Sequence, residues 1–250
     1  MLNDCPLVSI VMPSYNSSLT VNESIKSVLS QSYSNFELII CDDNSTDDSK
    51  SIISKIEDDR IRLVDNVFKK GACGARATCM KYANGDYIAF LDSDDLWASN
   101  KLEIQIGSML ENDLDFTYSD YAVFIDSINN IERLIFSPEK IQYGDLIRYC
   151  DIGCLTVVIR KSSFSCLEYV DSPKEDYAFW LKIIKQCKVA SKVNGTLAYY
   201  RRGTTTLSSN KVKEIGKQWY VLRNVENLPF LLSVNCLISY CFNGLRKHYL

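Results

Sequence analysis

The segment Asp86-Tyr-Ile-Ala-Phe-Leu-Asp92-Ser-Asp94-Asp95-Leu-Trp97 places three carboxylates within four residues, directly after an apolar run. Clustered aspartates repel one another and resist loss of water, so packing alone gives a fold no reason to gather them at a strand end. A divalent cation supplies that reason. Hard carboxylate oxygens favour Mg2+ or Mn2+, and such ions usually hold a phosphate as well. The chemistry suggested is a metal-assisted reaction on a phosphate-bearing substrate. A calcium EF-hand is excluded, because Trp97 stands where that loop needs glycine. Capping the helix expected after Ser99 would need only one of the three aspartates.

Other residues could join this chemistry. Asp42-Asp43 closes the apolar run Phe36 to Cys41 and precedes the turn-prone Asn44-Ser45-Thr46. These carboxylates suit either a turn or hydrogen bonds from a nucleobase edge or a ribose hydroxyl. Lys69-Lys70-Gly71-Ala72-Cys73-Gly74-Ala75-Arg76 sets cations and flexible backbone before a helix. That suits a diphosphate, and equally a solvated basic turn, and it matches neither a Walker A loop nor a dinucleotide fingerprint. Glu175-Asp176 opens an amphipathic helix, where the helix dipole already favours acidic residues. The single histidine is His248, so zinc sites and Ser-His-Asp chemistry are not expected and any general base is a carboxylate.

The elements that position these residues follow from periodicity. Leu7 to Met12, Phe36 to Cys41, Ile61 to Val64 and Tyr87 to Leu91 read as strands. Thr20 with Glu23 forms a capping box before a helix bearing Val21, Ile25, Val28 and Leu29. Further helices are marked by Ile52, Ile53 and Ile56 and by the small-residue run Ala72 to Ala83. This alternation predicts an α/β fold with a mostly parallel sheet covered on both faces. Ligands of such sheets lie beyond the strands' carboxyl ends, where Pro13-Ser-Tyr15, Asp42-Asp43 and Asp92-Ser-Asp94 would meet. The second half is less regular. It suggests a helix through Leu102, Ile106, Met109 and Leu110, and strands at Phe116 to Tyr118, Thr156 to Ile159 and Leu197 to Arg201. Tyr177, Trp180, Leu181 and Ile184 share one helical face, and a polar Gly203-Thr-Thr-Thr loop follows Arg201.

A chain of 250 residues makes one large domain, or a domain with an appendage. Its net charge of −3 argues against a nucleic-acid binder. Residues 211–250 carry six basic and two acidic side chains, a basic tail on an acidic body. The apolar stretch Leu228 to Phe242 is shorter than the roughly 20 residues of a membrane span. It suits a core helix or, given the flanking Lys217, Arg223, Arg246 and Lys247, a helix lying on an anionic membrane surface. The ten cysteines include no C-x-x-C pair, and Met1-Leu-Asn-Asp-Cys-Pro lacks a basic leader region. Reduced thiols in a cytosolic protein are expected.

Together the segments resemble the family 2 glycosyltransferases, inverting enzymes of the GT-A (Rossmann-like) fold. The resemblance rests on Val8-Ser-Ile-Val-Met-Pro-Ser-Tyr-Asn16, Ser30 to Asp47, Gly74-Ala-Arg76, Gly85 to Asp95 and Glu175-Asp-Tyr-Ala-Phe-Trp-Leu181, and covers roughly residues 7–210. It implies that residues 1–100 form a nucleotide-sugar half, that residues 101–210 form an acceptor half, and that 211–250 form appended basic amphipathic helices suited to a membrane surface. It further implies that Pro13, Tyr15 and Asp43 line a uridine pocket with Asp42 beside them, that Arg76 approaches the diphosphate, that Asp92 meets the ribose, and that Asp94 binds Mn2+ or Mg2+. Asp176 would be the catalytic base, with Asp95, Glu175, Arg201 and Arg202 as further candidates. One carboxylate suffices for an inverting transfer, whereas a glycosidase needs two flanking the bond. Many relatives carry a histidine where Gly203 follows Tyr200-Arg201-Arg202 here, so that histidine's role is not carried over. The tail is similar to those of bacterial O-antigen and capsule transferases. It implies a UDP-sugar donor, a lipid-linked saccharide acceptor and a peripheral place on the inner face of the cytoplasmic membrane. Two rivals are a haloacid-dehalogenase-type phosphatase, whose strand-D-x-D Phe90-Leu-Asp-Ser-Asp94 mimics, and an inactive sugar-nucleotide binding module.

Overall fold

The computed structural model describes residues 5–149, 152–203 and 211–249. Its first half alternates strictly: β1 (Val8–Ser14), α1 (Val21–Leu29), β2 (Phe36–Asp42), α2 (Ser49–Ser54), β3 (Ile61–Asp65), α3 (Ala72–Tyr82) and β4 (Tyr87–Phe90). These strands stand in the order β3-β2-β1-β4, all parallel. Alternate residues of each strand feed two cores. Val11, Ile39, Cys41 and Phe90 face one side, and Ile10, Met12, Leu38 and Ile40 the other. Burial on both faces is what turns these strands into near-continuous apolar runs. Pro13 is tolerated in the central β1 because β4 pairs with that strand only from Val8 to Val11.

The second half continues the same sheet with mixed pairing. It comprises β5 (Leu96–Trp97), α4 (Lys101–Glu111), β6 (Phe116–Phe124), β7 (Ile131–Ile135), β8 (Lys140–Gln142), α5 (Tyr143–Leu146), β9 (Val158–Arg160), α6 (Glu175–Cys187), β10 (Val189–Arg201), α7 (Lys211–Tyr220) and α8 (Phe230–Tyr249). Here β9 lies antiparallel between β4 and β6, and β10 runs parallel to β6. Three expectations are corrected. The strand read from Leu197 is the end of a strand thirteen residues long, hidden in the sequence by register shifts around Gly195, which has φ 117°. The stretch from Thr156 begins as a 3-10 turn, Cys154–Thr156, before β9. The Leu228 to Phe242 segment enters a helix only at Phe230, and that helix runs on to Tyr249, preceded by α7 and a π-helical turn, Val221–Val225. All nine described cysteines are free thiols, and residues 204–210 of the Gly203-Thr-Thr-Thr loop lie outside the described residues.

The 3-10 turn matters because it carries Cys154 into the crevice described below. It is held by buried polar groups: Trp97 Nε1 donates to Leu155 O at 2.8 Å, and Gln105 Nε2 donates to Thr156 O at 3.0 Å. Lys101 Nζ, fully buried, completes the set with Gln105 Oε1, Thr156 O and the Trp97 ring. Burial pushes the Lys101 ammonium down to about 7. Its folded value therefore lies below its unfolded one of 10.5, and its contribution to stability falls as pH drops from 10.5 toward 7. Replacing Lys101 by Met removes that term. The Met variant should gain stability relative to the native chain at pH 7 and lose that gain by pH 10. Thermal unfolding at both values measures this, and an equal difference at both would show that Lys101 does not pay for burial.

Candidate active site

The strand-end motifs converge at the carboxyl edge of the parallel strands. The loops after β1 and β2 are stitched together: Asn16 N donates to Ser45 Oγ, Thr46 N to Asn16 Oδ1 at 2.8 Å, and Asp43 N to Ser14 O at 2.8 Å. Asn16 and Asn44 adopt positive φ to make these turns. Tyr15 stands exposed on this edge with the Lys70 ammonium 4.5 Å from its ring centre. Asp43 is buried and accepts from Asn66 Nδ2 at 2.6 Å and from Gly71 N at 2.7 Å. It thereby fixes the turn before α3, and each of its oxygens keeps a second lone pair. Asp42 accepts from Ser45 N through one oxygen, and its other, buried oxygen has no protein partner.

The capping box read at Thr20 and Glu23 is not formed. The Thr20 hydroxyl donates to Ser93 O at 2.9 Å, and Glu23 accepts from Arg201 Nη2 at 2.5 Å. Both residues clamp the acidic loop instead of the helix end. Arg201 completes the clamp: its Nε donates to Asp94 O at 2.8 Å and its backbone N–H to Asp95 Oδ1 at 2.9 Å. Arg202, the first residue past β10, points the other way and pairs with Glu132, away from the acidic cluster.

The three aspartates differ sharply. Asp95 is buried, and burial first, then Asp94 and Asp92, pushes its carboxyl well above the usual range. Asp94 opens to solvent at the crevice, yet protein on its flanks and the neighbouring Asp92 push it up to about 6. Both effects disfavour its ionised form, which a bound cation would restore. Asp92 accepts from Arg76 Nη2 at 2.6 Å, and the same guanidinium donates through Nη1 to Glu175 Oε1 at 2.8 Å. Arg76 is buried, with its Nε unpaired. One cation on α3 thus joins the end of β4 to the start of α6. Burial raises the Glu175 carboxyl in spite of Arg76. Asp176, half-buried beside it, accepts from the N–H of Tyr177 at 2.7 Å.

No group of three or more His, Cys, Asp or Glu side chains that could hold a metal occurs among the described residues. Mg2+ and Mn2+ sites need no such cage, because one or two carboxylates plus substrate phosphates complete them. Asp94, a carboxylate open to solvent at the crevice, fits that pattern.

Two residues of the crevice went unnoticed in the sequence. The buried Cys154 thiol and the Tyr169 hydroxyl both sense Arg76, Asp92 and Asp176. Tyr169 stacks on Phe179 of α6 at 4.3 Å between ring centres, and its hydroxyl is buried without a partner. Neither residue stands in a periodic pattern, so nothing local marked them. Immediately before α6, Lys174 Nζ donates to Gln218 Oε1 at 3.0 Å and to the Tyr240 hydroxyl at 3.1 Å. The C-terminal helices are therefore fastened one residue from Glu175-Asp176.

With this geometry in place, comparison with known proteins identifies the class. The profile of glycosyl transferase family 2 matches residues 9–166. WfgD of Escherichia coli, a UDP-Glc:alpha-D-GlcNAc-diphosphoundecaprenol beta-1,3-glucosyltransferase, is 43% identical over 243 residues, covering 97% of this chain and 95% of that one. Among solved structures, S. aureus TarS 1-349 in complex with UDP-GlcNAc shares the fold with a TM-score of 0.71 at 17% identity, over 96% of this chain and 72% of that one. The mannosyltransferase PcManGT from Pyrobaculum calidifontis, in complex with GDP-Man and Mn2+, gives a TM-score of 0.69 at 14% identity, over 94% and 70%. The chain belongs to glycosyl transferase family 2. It is a glycosyltransferase with the GT-A fold, which removes both the phosphatase and the inactive binding module.

Arg76 neutralises two carboxylates that otherwise face each other across the crevice. Removing a partner from a buried ion pair costs about 3–5 kcal/mol, and less here because Asp92 and Glu175 keep partial access to water. Arg76→Met should lower unfolding stability by about 2–3 kcal/mol in urea titrations. A loss below about 0.5 kcal/mol would show that the two carboxylates do not depend on it.

Proposed function

We propose that this transferase moves glucose, with inversion, from UDP-glucose to an N-acetylhexosamine linked through diphosphate to a polyprenyl lipid. The reading is supported by WfgD, a transferase from UDP-Glc to GlcNAc-diphosphoundecaprenol that aligns along almost all of the chain. The observation that carries the mechanism is the Arg76 bridge, which brings the Asp92–Asp94 loop and the Glu175-Asp176 helix start to one crevice.

The roles follow the chemistry of each position. Residues 1–100 form the nucleotide-sugar half, where exposed Tyr15 flanks the base, buried Pro13 sets the end of β1 beneath that edge, and Asp43, held rigid by Asn66 and Gly71, accepts from the base, with Asp42 beside it. Asp92 accepts from the ribose, and Arg76 positions Asp92 and Glu175 rather than standing free for the phosphates. Asp94 is the residue that would hold Mn2+ or Mg2+, which when bound supplies positive charge to the departing diphosphate. Asp95 and Arg201 hold the Asp94 loop in place. Residues 101–210 present the acceptor. Asp176 takes the proton of the acceptor hydroxyl as its oxygen attacks the anomeric carbon, and the electron pair of the broken bond leaves with UDP. No acid is required on the leaving side.

The contrast between two carboxylates tests this division. Asp176→Asn should keep UDP-glucose binding and lose turnover by about 10²-fold or more, while Asp94→Ala or added EDTA should abolish metal-dependent UDP binding and turnover together. UDP release and calorimetry read both. Near-normal rates in Asp176→Asn remove it as the base, and full activity in EDTA removes the metal.

The tail bears on location. No described helix is long and apolar enough to cross a membrane. Helix α8 turns the small Ser233 and Cys236 inward and leaves Leu231, Ile238 and Phe242 exposed on the opposite side. A core helix would do the reverse, so the pattern supports a helix lying on an anionic membrane surface at the inner face. The side chains of Arg246 and Lys247 lie outside the described residues. Replacing Leu231, Ile238 and Phe242 together by Ser should cut binding to phosphatidylglycerol vesicles by about tenfold with UDP affinity unchanged; unaltered vesicle binding would detach the tail from the membrane.

A further inference from the structure

A groove of about 580 Å³ runs along α3, between that helix and the segment 164–171 that leads to α6. Its size falls within the roughly 300–1,000 Å³ typical of small-ligand sites. Ala77, Met80, Ile88, Leu167 and Tyr169 make its walls predominantly apolar. Four lysines border it: Lys69 and Lys70 at the start of α3, Lys81 and Lys161 toward the other end. Only Glu168 and Asp171 oppose them among its lining residues. The Lys69–Asp171 ion pair is exposed on both sides, so it holds that end of the groove only weakly.

The groove abuts the crevice. Arg76 stands on α3 between the lining residues Cys73 and Ala77, and the lining residue Tyr169 stacks on Phe179 of α6, the helix that begins with Glu175-Asp176. An elongated molecule could thus hold its sugar at Asp176, pass a charged group by Lys69, and lay an apolar portion on Ala77, Met80 and Leu167. A free saccharide would leave this apolar floor unused, and a simple anion would need only the lysines. The sequence of cation then apolar floor, read outward from the base, is complementary to a prenyl diphosphate.

We propose that the groove along α3 binds the diphosphate and first isoprene units of the acceptor lipid. The proposal rests on the lipid-linked acceptor assigned above, and it gives that acceptor a path out of the crevice. Long lysine side chains suit such a path, since their stems pack on apolar chains while the ammonium stays in water.

The test uses farnesyl diphosphate as probe and the full chain saturated with UDP and Mn2+, so that the nucleotide site is filled. Calorimetry should show binding that Ala77→Trp, which fills the groove, weakens by at least about tenfold. Met80→Glu, which puts a charge on the floor, should act likewise, and both variants should keep native UDP affinity as evidence of folding. Inorganic diphosphate should not compete at matched concentration. Absence of farnesyl diphosphate binding, equal binding by both variants, or equal competition by inorganic diphosphate would overturn the proposal. Loss of self-association in Ala77→Trp with farnesyl diphosphate binding unchanged would assign the groove to a second copy of the chain and overturn it too. Failure of glucose transfer to every lipid-linked acceptor, with farnesyl diphosphate binding intact, would count against the function and leave the groove standing.

Discussion

The crevice depends on one buried guanidinium. Five carboxylates, at 92, 94, 95, 175 and 176, gather where the parallel strands end, and such a concentration cannot fold unpaired. Arg76 neutralises two of them at once and, because it projects from α3, sets the separation between the β4 loop and α6. Arg201 holds the loop's other side, its guanidinium donating to the carbonyl oxygen of Asp94 and its backbone N–H to a carboxylate oxygen of Asp95. Asp94 is left open to solvent at the crevice, with its ionised form disfavoured by burial and by Asp92. The arrangement is stable enough to fold and still unsatisfied where a ligand must bind.

A second constraint ties this crevice to the C-terminal helices. Lys174 is bonded to Gln218 and Tyr240 and lies over the rings of Tyr177 and Tyr240. Gln218 in turn donates to the Tyr177 hydroxyl, which donates to Leu146 O. The start of α6 is therefore braced from α5, α7 and α8 together. The appendage that carries the exposed apolar face is also the brace for the helix that begins with Glu175-Asp176, so that face and the crevice belong to one connected arrangement of helices.

Most of the first half was legible because strands buried on both faces have a strong signature, and because Pro13, Asp42 and Asp92 punctuate their ends. The acidic loop could be read as a ligand site since local packing and capping give no reason for three carboxylates within four residues. What stayed hidden was tertiary. Thr20 and Glu23 have the local pattern of a capping box, but Ser93 O and Arg201 offered stronger partners seventy or more residues away. Long-range competition of that kind leaves no mark in a window of four residues. Arg201 and Arg202 look equivalent in sequence, and only strand alternation sends one to the acidic loop and the other to Glu132. Cys154 and Tyr169 reach the crevice from a 3-10 turn and an irregular segment, neither of which has a period to read.

The central claim is that a single carboxylate, Asp176, deprotonates an acceptor held opposite the departing nucleotide, a geometry that permits only inversion. The most direct measurement is the anomeric configuration of the product, read from its proton NMR coupling after transfer from UDP-glucose, whose glucosyl bond is α, to a synthetic GlcNAc-diphosphate lipid. The account predicts a β-linked product and no α-linked one. An α-linked product would show that the sugar is transferred with retention and that a lone base at Asp176 does not describe the reaction.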